Sequence, residues 1–282
     1  MVERVLDTCD IKESSRSSYR YGIRDFVKWN HEGILGPDTL VSYKRFLQGR
    51  TDLSISTKNQ YLSGVRIVLR KLHEVGVLER DFGKGVKGFK VTSEHKRNPI
   101  TDEEVTRVFN LVREMKDKRL LVLYTLLYFQ GLRQKEVLTI TVEDFDPEGK
   151  TLRILGKGRD DLEKIDLHPQ TVKVMKWYLK ENNLKSGYLF WSRQNRSGHM
   201  TRQNLNWLIR QVHEKCGITN VGHGWRKVFV SKLIDSGMDL LTVSSFSRHQ
   251  SIEMLKVYYD RLSRKKVLPK YYQVFSNDVS VM

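Results

Sequence analysis

Ten consecutive positions, Leu120 to Phe129 (LLVLYTLLYF), are apolar on nearly every side of a helix. Such a helix has no face for water and must be enclosed by other elements. The run is half the length needed to cross a bilayer, so it predicts the centre of a packed domain. Thr101 and Glu104 have the spacing of a capping box and predict the start of the helix that precedes it. Gly131 ends the apolar helix and the chain turns into Arg133. Three short strands are expected over about 139–145, 150–155 and 163–168, joined by turns at Asp146-Pro147-Glu148-Gly149 and Gly156-Lys157-Gly158-Arg159. Helical patterns resume at 169–182, 201–215, 224–236, 239–246 and 251–262.

The segment before this domain is helical as well. Ser17 or Ser18 can cap a helix carrying Tyr19, Ile23, Phe26 and Val27, and Gly33, Gly36 and Pro37 break it. A second helix fits Asp38 to Gln48, and a third opens at Thr57, followed by Gln60 at capping-box spacing. The third helix carries Tyr61, Val65, Val68, Leu69 and Leu72 on one side and Lys58, Arg66, Arg70 and Lys71 on the other. That basic face is either ordinary solvated surface or a face for DNA. Lys90 to Pro99 (KVTSEHKRNP) is polar, basic and without period, and reads as a linker. The expected organisation is therefore a helical domain over 1–89, a linker over 90–99, a second domain over 100–263 and a tail over 264–282. The fold class is mainly α with one small antiparallel sheet.

The 282 residues include 50 Lys and Arg against 33 Asp and Glu, a formal charge of +17. An excess this large favours a polyanion, nucleic acid first. Residues 1–95 hold 17 of the basic and 12 of the acidic residues, so both domains can reach phosphates. No apolar run is long enough for a membrane span, and the opening MVERVLDTCD has charges where a signal peptide needs apolar residues. Cys9 and Cys216, far apart, form neither a metal spacing nor a disulfide framework, which points to a reducing cytoplasm.

Residues 223–258 gather chemistry: His223 and Arg226 in HGWRK, then His249 and Tyr258 in SRHQSIEMLKVYYD. Arginine matches phosphate oxygens with a planar fork, histidine carries protons near neutral pH, and tyrosine supplies an oxygen nucleophile. Upstream, Arg133 (in GLRQKE) and Lys157 (in LGKGR) complete the set. Taken in order and spacing, these residues resemble those of the tyrosine recombinases, the family of phage integrases and chromosome-dimer resolvases. The resemblance spans Gly131 to Asp260 at motif level and begins near Ser14 at domain level.

It implies a helical core-binding domain followed by an α+β catalytic domain. It also implies cleavage and rejoining of DNA through a 3′-phosphotyrosyl link, without metal or other cofactor. Arg133 and Arg226 would clamp the scissile phosphate, and Lys157 would protonate the leaving 5′ oxygen, with Lys164 as the competing lysine. His223 and His249 would contact the phosphate and move protons, and Glu136, one turn after Arg133, would support the site. The nine-residue step from His249 selects Tyr258 as nucleophile. Helical phasing agrees, because Ile252, Leu255, Tyr259 and Leu262 form an inward stripe and turn Tyr258 about 100° away.

Two positions depart from the family pattern: Lys227 stands where many relatives have His, and Ser247-Arg248 replace the usual Leu-Gly. The second puts the tightness of that turn in question and makes Arg248 a candidate phosphate contact. The partner implied is double-stranded DNA bearing specific sites. Four protomers would act on two sites through a Holliday junction, from a free monomer or weak oligomer, with the tail docked on a neighbour. A cytoplasmic, nucleoid-associated protein of prokaryotic, viral or mobile-element origin fits this reading. A type IB topoisomerase and a DNA-binding protein without catalysis are the alternatives.

Overall fold

Residues 2–11, 13–90, 100–156, 161–195, 197–219, 223–249 and 251–255 are described by the computed structural model, and the chain divides into units Met1–Glu94 and His95–Met282. The first unit comprises α1 (Val2–Asp7), α2 (Glu13–Trp29), α3 (Thr39–Gly49) and α4 (Ile55–Glu74). Phe26, Leu40, Tyr43, Leu47, Leu62, Val65 and Leu69 form its core. α1, which the sequence pattern did not predict, seats Leu6 against Ile23 and Val68. Inside this apolar cluster the Tyr43 hydroxyl donates to Asp25 Oδ2 at 2.8 Å, as a buried phenol requires.

Two expected helix starts move. α2 begins at Glu13, so Ser17 and Ser18 lie within it; Arg16 pairs with Glu13 at 3.3 Å and Asp7 at 3.8 Å and carries the helix back. α4 is capped by Ser54, whose hydroxyl accepts from Thr57 N at 3.1 Å, rather than by Thr57. The second shift follows from a side-chain oxygen satisfying a helix-end N–H before the apolar stripe begins.

The second unit opens with α5 (Asp102–Glu114), and here the Thr101–Glu104 capping box forms as expected: Thr101 N donates to Glu104 Oε2 at 2.8 Å and Glu104 N to Thr101 Oγ1 at 3.2 Å. α6 (Lys118–Phe129) contains the apolar run, and Leu120, Val122, Leu123, Tyr124, Leu126 and Leu127 are buried. α7 (Gln134–Thr139) follows, then β1 (Phe145–Asp146), β2 (Thr151–Leu155) and β3 (Leu162–Asp166) in an antiparallel sheet of order β1-β2-β3. Leu152 pairs with Phe145 on one side and Ile165 on the other.

The first strand is therefore much shorter than the expected 139–145. Thr141 donates from both N (3.0 Å) and Oγ1 (2.7 Å) to Asp144 Oδ2, and this local closure makes a 3-10 turn over Val142–Asp144 instead of a ladder. The turn at 147–150 is present, whereas the β2–β3 connection over 157–160 lies outside the described residues.

Among the described residues the remaining helices are α8 (Pro169–Glu181), α9 (Arg202–Lys215), α10 (His223–Asp235) and α11 (Leu240–Ser247), within one or two residues of their predicted bounds, and most of the helix expected over 251–262 lies outside the described residues. Trp225 of α10 is fully buried, meets Tyr124 edge-on at 5.0 Å and donates from Nε1 to His213 Nε2 at 2.9 Å. α10 is thereby fixed against the central helix one residue before Arg226.

Gly131 joins α6 to the loop bearing Arg133. It sits at φ +56°, and an added Cβ would overlap the Phe229 ring. Gly131→Ala should therefore destabilise the protein by about 2 kcal/mol or more, through backbone strain and overpacking together. Denaturant unfolding of the two proteins measures this difference.

Candidate active site

Arg133 precedes α7, and the sequence places Glu136 one turn later, at the spacing at which helix side chains meet. The carboxylate turns back: Arg133 N donates to Glu136 Oε2 at 2.8 Å and Arg133 Nη1 to Oε1 at 2.6 Å. Glu136 is only 2% exposed, so its charge requires partners. A second guanidinium completes them, Arg248 Nη2 donating to Oε2 at 3.0 Å. Burial pushes the Glu136 carboxyl up, but Arg248 and then Arg133 outweigh it and hold the group below the usual carboxylate range.

Arg226, at 4% exposure on α10, reaches the same place from another direction. Its Nη1 donates to Gly131 O at 2.6 Å and its Nη2 to Ser247 O. Arg133 Nη2 donates to the next carbonyl, Arg248 O, at 3.3 Å. Residues distant in sequence thus converge on the turn that ends α11. Arg248 caps that helix in the left-handed conformation, φ +54° and ψ +46°, which costs a non-glycine residue about 1–2 kcal/mol. The turn closes nonetheless: Arg248 N donates to Ser245 O and His249 N to Ser244 O, each at 3.2 Å, and Ser244 Oγ to His249 O at 3.0 Å.

His249 follows directly, its Nδ1 2.6 Å from Ser247 Oγ. That contact fixes the orientation of the ring. The sequence reading missed this contact of Ser247; its signal was the SRH tripeptide, with a hydroxyl two residues before the histidine.

The other expected residues fall into three groups. Lys157, Tyr258 and Tyr259 lie outside the described residues, as does the side chain of His223, although the backbone of His223 begins α10. Leu255, from the predicted inward stripe, is buried with Val230, Ile234 and Val243, while Ile252 is more exposed. Lys164 is exposed on β3 and borders a cleft of about 420 Å³ with Glu163, Phe229, Phe246 and Arg248.

Arg248 does not stand on the surface where an added phosphate contact needs it; its side chain is 7% exposed and turned onto Glu136. On the basic face of α4, Lys58 Nζ donates to Gln48 O at 3.2 Å and Arg66 to Val86 O, so both brace their own unit. Lys71 pairs with Glu74 at 3.3 Å, and Arg70, the most exposed of the four, lies 3.8 Å from the same carboxylate. Exposed pairs of this kind hold weakly and can be exchanged for phosphates.

Arg133, Arg226 and an oriented imidazole around one turn, with Glu136 and Arg248 behind them, are an arrangement chemically able to hold an anion beside a proton carrier. A model of the phage integrase family matches residues 98–265, and the chain belongs to that family, the tyrosine recombinases. Among its relatives, tyrosine recombinase XerD of Rhizobium meliloti is 26% identical over 83% of this chain and 80% of its own length. Tyrosine recombinase XerA of Pyrococcus horikoshii is 26% identical over 56% of this chain, which spans 55% of that protein. In fold, the chain resembles the Tn1549 transposon integrase solved with transposon right end DNA, with a TM-score of 0.77 and 15% identity over 97% of this chain and 99% of that one. XerH recombinase bound to difH gives a TM-score of 0.70 and 19% identity over 92% and 79%.

The depressed Glu136 carboxyl sets a pH dependence. A group whose folded-state pKa is lowered stabilises the protein above its unfolded value and loses that contribution as pH falls through the folded one. Glu136→Gln should flatten the fall of stability below about pH 4.5, the ordinary value of this carboxyl. Unfolding midpoints between neutral pH and pH 3 measure the slope.

Proposed function

We propose that this chain cleaves and rejoins DNA at specific sites, with Tyr258 attacking a scissile phosphate to form a 3′-phosphotyrosyl link and release a 5′ hydroxyl. Arg133 and Arg226 neutralise the non-bridging oxygens as the phosphorane forms, since each is permanently charged and presents a planar fork. Lys157 gives a proton to the departing 5′ oxygen. His223 and His249 bond the phosphate and relay protons at the entering oxygen. A second 5′ hydroxyl then attacks the phosphotyrosine and reverses the steps.

One observation carries this reading: Arg133 and Arg226, 93 residues apart in sequence, donate to the successive carbonyls of Ser247 and Arg248, immediately before His249. Two guanidinium groups this close have little structural reason to converge. An incoming phosphate accepts the same donors and adds the negative charge that the carbonyls lack. The relatives named above carry recombinase and integrase names, which favours strand exchange over relaxation of supercoils or binding alone.

Exchange engages four protomers on two duplex sites through a Holliday junction, with residues 264–282 of one protomer docked on the next in a closed ring. The 1–89 domain adds phosphate contacts, with Arg70 better placed to give one than Lys58 or Arg66. Among the described residues no helix is long and apolar enough to cross a membrane, and chromosomal or mobile-element DNA in the cytoplasm is the expected substrate.

Duplex DNA nicked beside the cleavage point tests the chemistry, because the released fragment diffuses away and traps the link. The wild type should give an SDS-resistant adduct, Tyr259→Phe should retain it, and Tyr258→Phe should lose it while binding DNA normally. Arg133→Ala and Arg226→Ala should each slow cleavage by roughly 10²-fold or more, the usual loss for a preorganised donor. Adduct formation by Tyr258→Phe, or cleavage by either alanine variant within a few-fold of wild type, contradicts the assignment.

A further inference from the structure

We propose that Arg248 is a positioning residue for strand cleavage: by holding one oxygen of Glu136, it keeps Arg133 from being closed into a bidentate pair and so leaves it available to phosphate. The inference rests on Arg133 acting as a phosphate clamp.

A carboxylate beside a guanidinium ordinarily forms a fork with two parallel bonds. Here the side chain of Arg133 reaches only Oε1 of Glu136, at 2.6 Å. Oε2 is occupied by Arg133 N at 2.8 Å and Arg248 Nη2 at 3.0 Å. Arg133 Nη2 is thereby directed to Arg248 O, on the turn that also binds Arg226. Neutralising Glu136 does not explain a second arginine, since Arg133 alone supplies one positive charge for one negative. Nor does a surface phosphate contact, because the Arg248 side chain is buried and its Nη1 lies 3.3 Å from Phe246 O and 3.5 Å from Gln130 O. Among the described side-chain atoms, its Nε is buried without a hydrogen-bond partner. The residue also occupies left-handed backbone, where glycine meets no steric penalty. An arginine kept in a strained backbone position and folded inward onto the carboxylate of a clamp residue has a task there.

The test compares Arg248→Met, Arg248→Lys and Arg133→Ala on nicked duplex DNA, each also in a Glu136→Gln background. A second substrate carries an uncharged methylphosphonate at the scissile position. Arg248→Met should cleave at least about tenfold more slowly at saturating DNA, the scale on which small misplacements of a reacting group act. DNA affinity, measured with Tyr258→Phe also present, should stay within about twofold. Arg248→Lys should recover part of the rate, because an ammonium can still hold Oε2. In the Glu136→Gln background the Arg248→Met deficit should largely vanish. It should also shrink on the methylphosphonate, where there is less charge to clamp.

If Arg248→Met fails to fold by circular dichroism, Arg248→Gly, which relaxes the backbone, takes its place. Wild-type cleavage by the Arg248 variant, or an equal deficit on both substrates and in both backgrounds, overturns the proposal while leaving the clamp reading intact. Normal cleavage by Arg133→Ala overturns both.

Discussion

The carboxylate of Glu136 is the point on which the catalytic unit turns. Buried and ionised, it must be surrounded by donors, and both arginine side chains that meet it come with a loop attached. Arg133 brings the end of α6 and Arg248 brings the end of α11, so a single charge ties together segments 112 residues apart in sequence. Removing either guanidinium takes a donor from a buried carboxylate. The same pairing that stabilises the loops therefore also fixes the geometry of the proposed phosphate site.

Around this point the packing is arranged to leave little freedom. Trp225 is locked between Tyr124 and His213, which sets the height and rotation of α10 and hence the reach of Arg226. Gly131 allows Phe229 to pack directly on the backbone beside Arg133, and its carbonyl accepts from Arg226. Ser247 holds the His249 ring. Each of these contacts is made by a residue next to, or two away from, a residue that meets the reacting phosphate in the proposed mechanism. Preorganised charge is effective in catalysis because the donors need not reorganise when negative charge develops.

Three guanidinium groups meet around one turn, where the Glu136 carboxylate and main-chain carbonyls accept from them. In the proposed mechanism a DNA phosphate takes the place of those carbonyls and offers the donors a charge that a neutral carbonyl lacks. The low exposure of Arg226 and Arg248 would place that proposed exchange in a medium of weak screening, where each charge pair is stronger than at the surface.

The amino-acid sequence by itself determined the enclosed helix at Leu120 to Phe129, the Thr101–Glu104 cap, the sheet turn at 146–149 and the residue types of the site. These depend on periodicity and on contacts within one or two turns, which composition and spacing encode directly. The start of α4 lies earlier than expected because Ser54 and Thr57 could each accept from a helix-end N–H, and Ser54 is the one that does. The strand expected over 139–145 gave way to the Thr141–Asp144 closure for a similar reason.

Only the tertiary structure decided that Arg248 points inward and that Lys58 and Arg66 bind their own backbone. It alone joined Ser247 to His249 and brought Arg133 and Arg226 to adjacent carbonyls. A guanidinium or ammonium has the same sequence signature whether it meets solvent, a phosphate or a buried carboxylate. Which of these it meets depends on long-range contacts between residues whose separation in the chain carries no information about their distance in space.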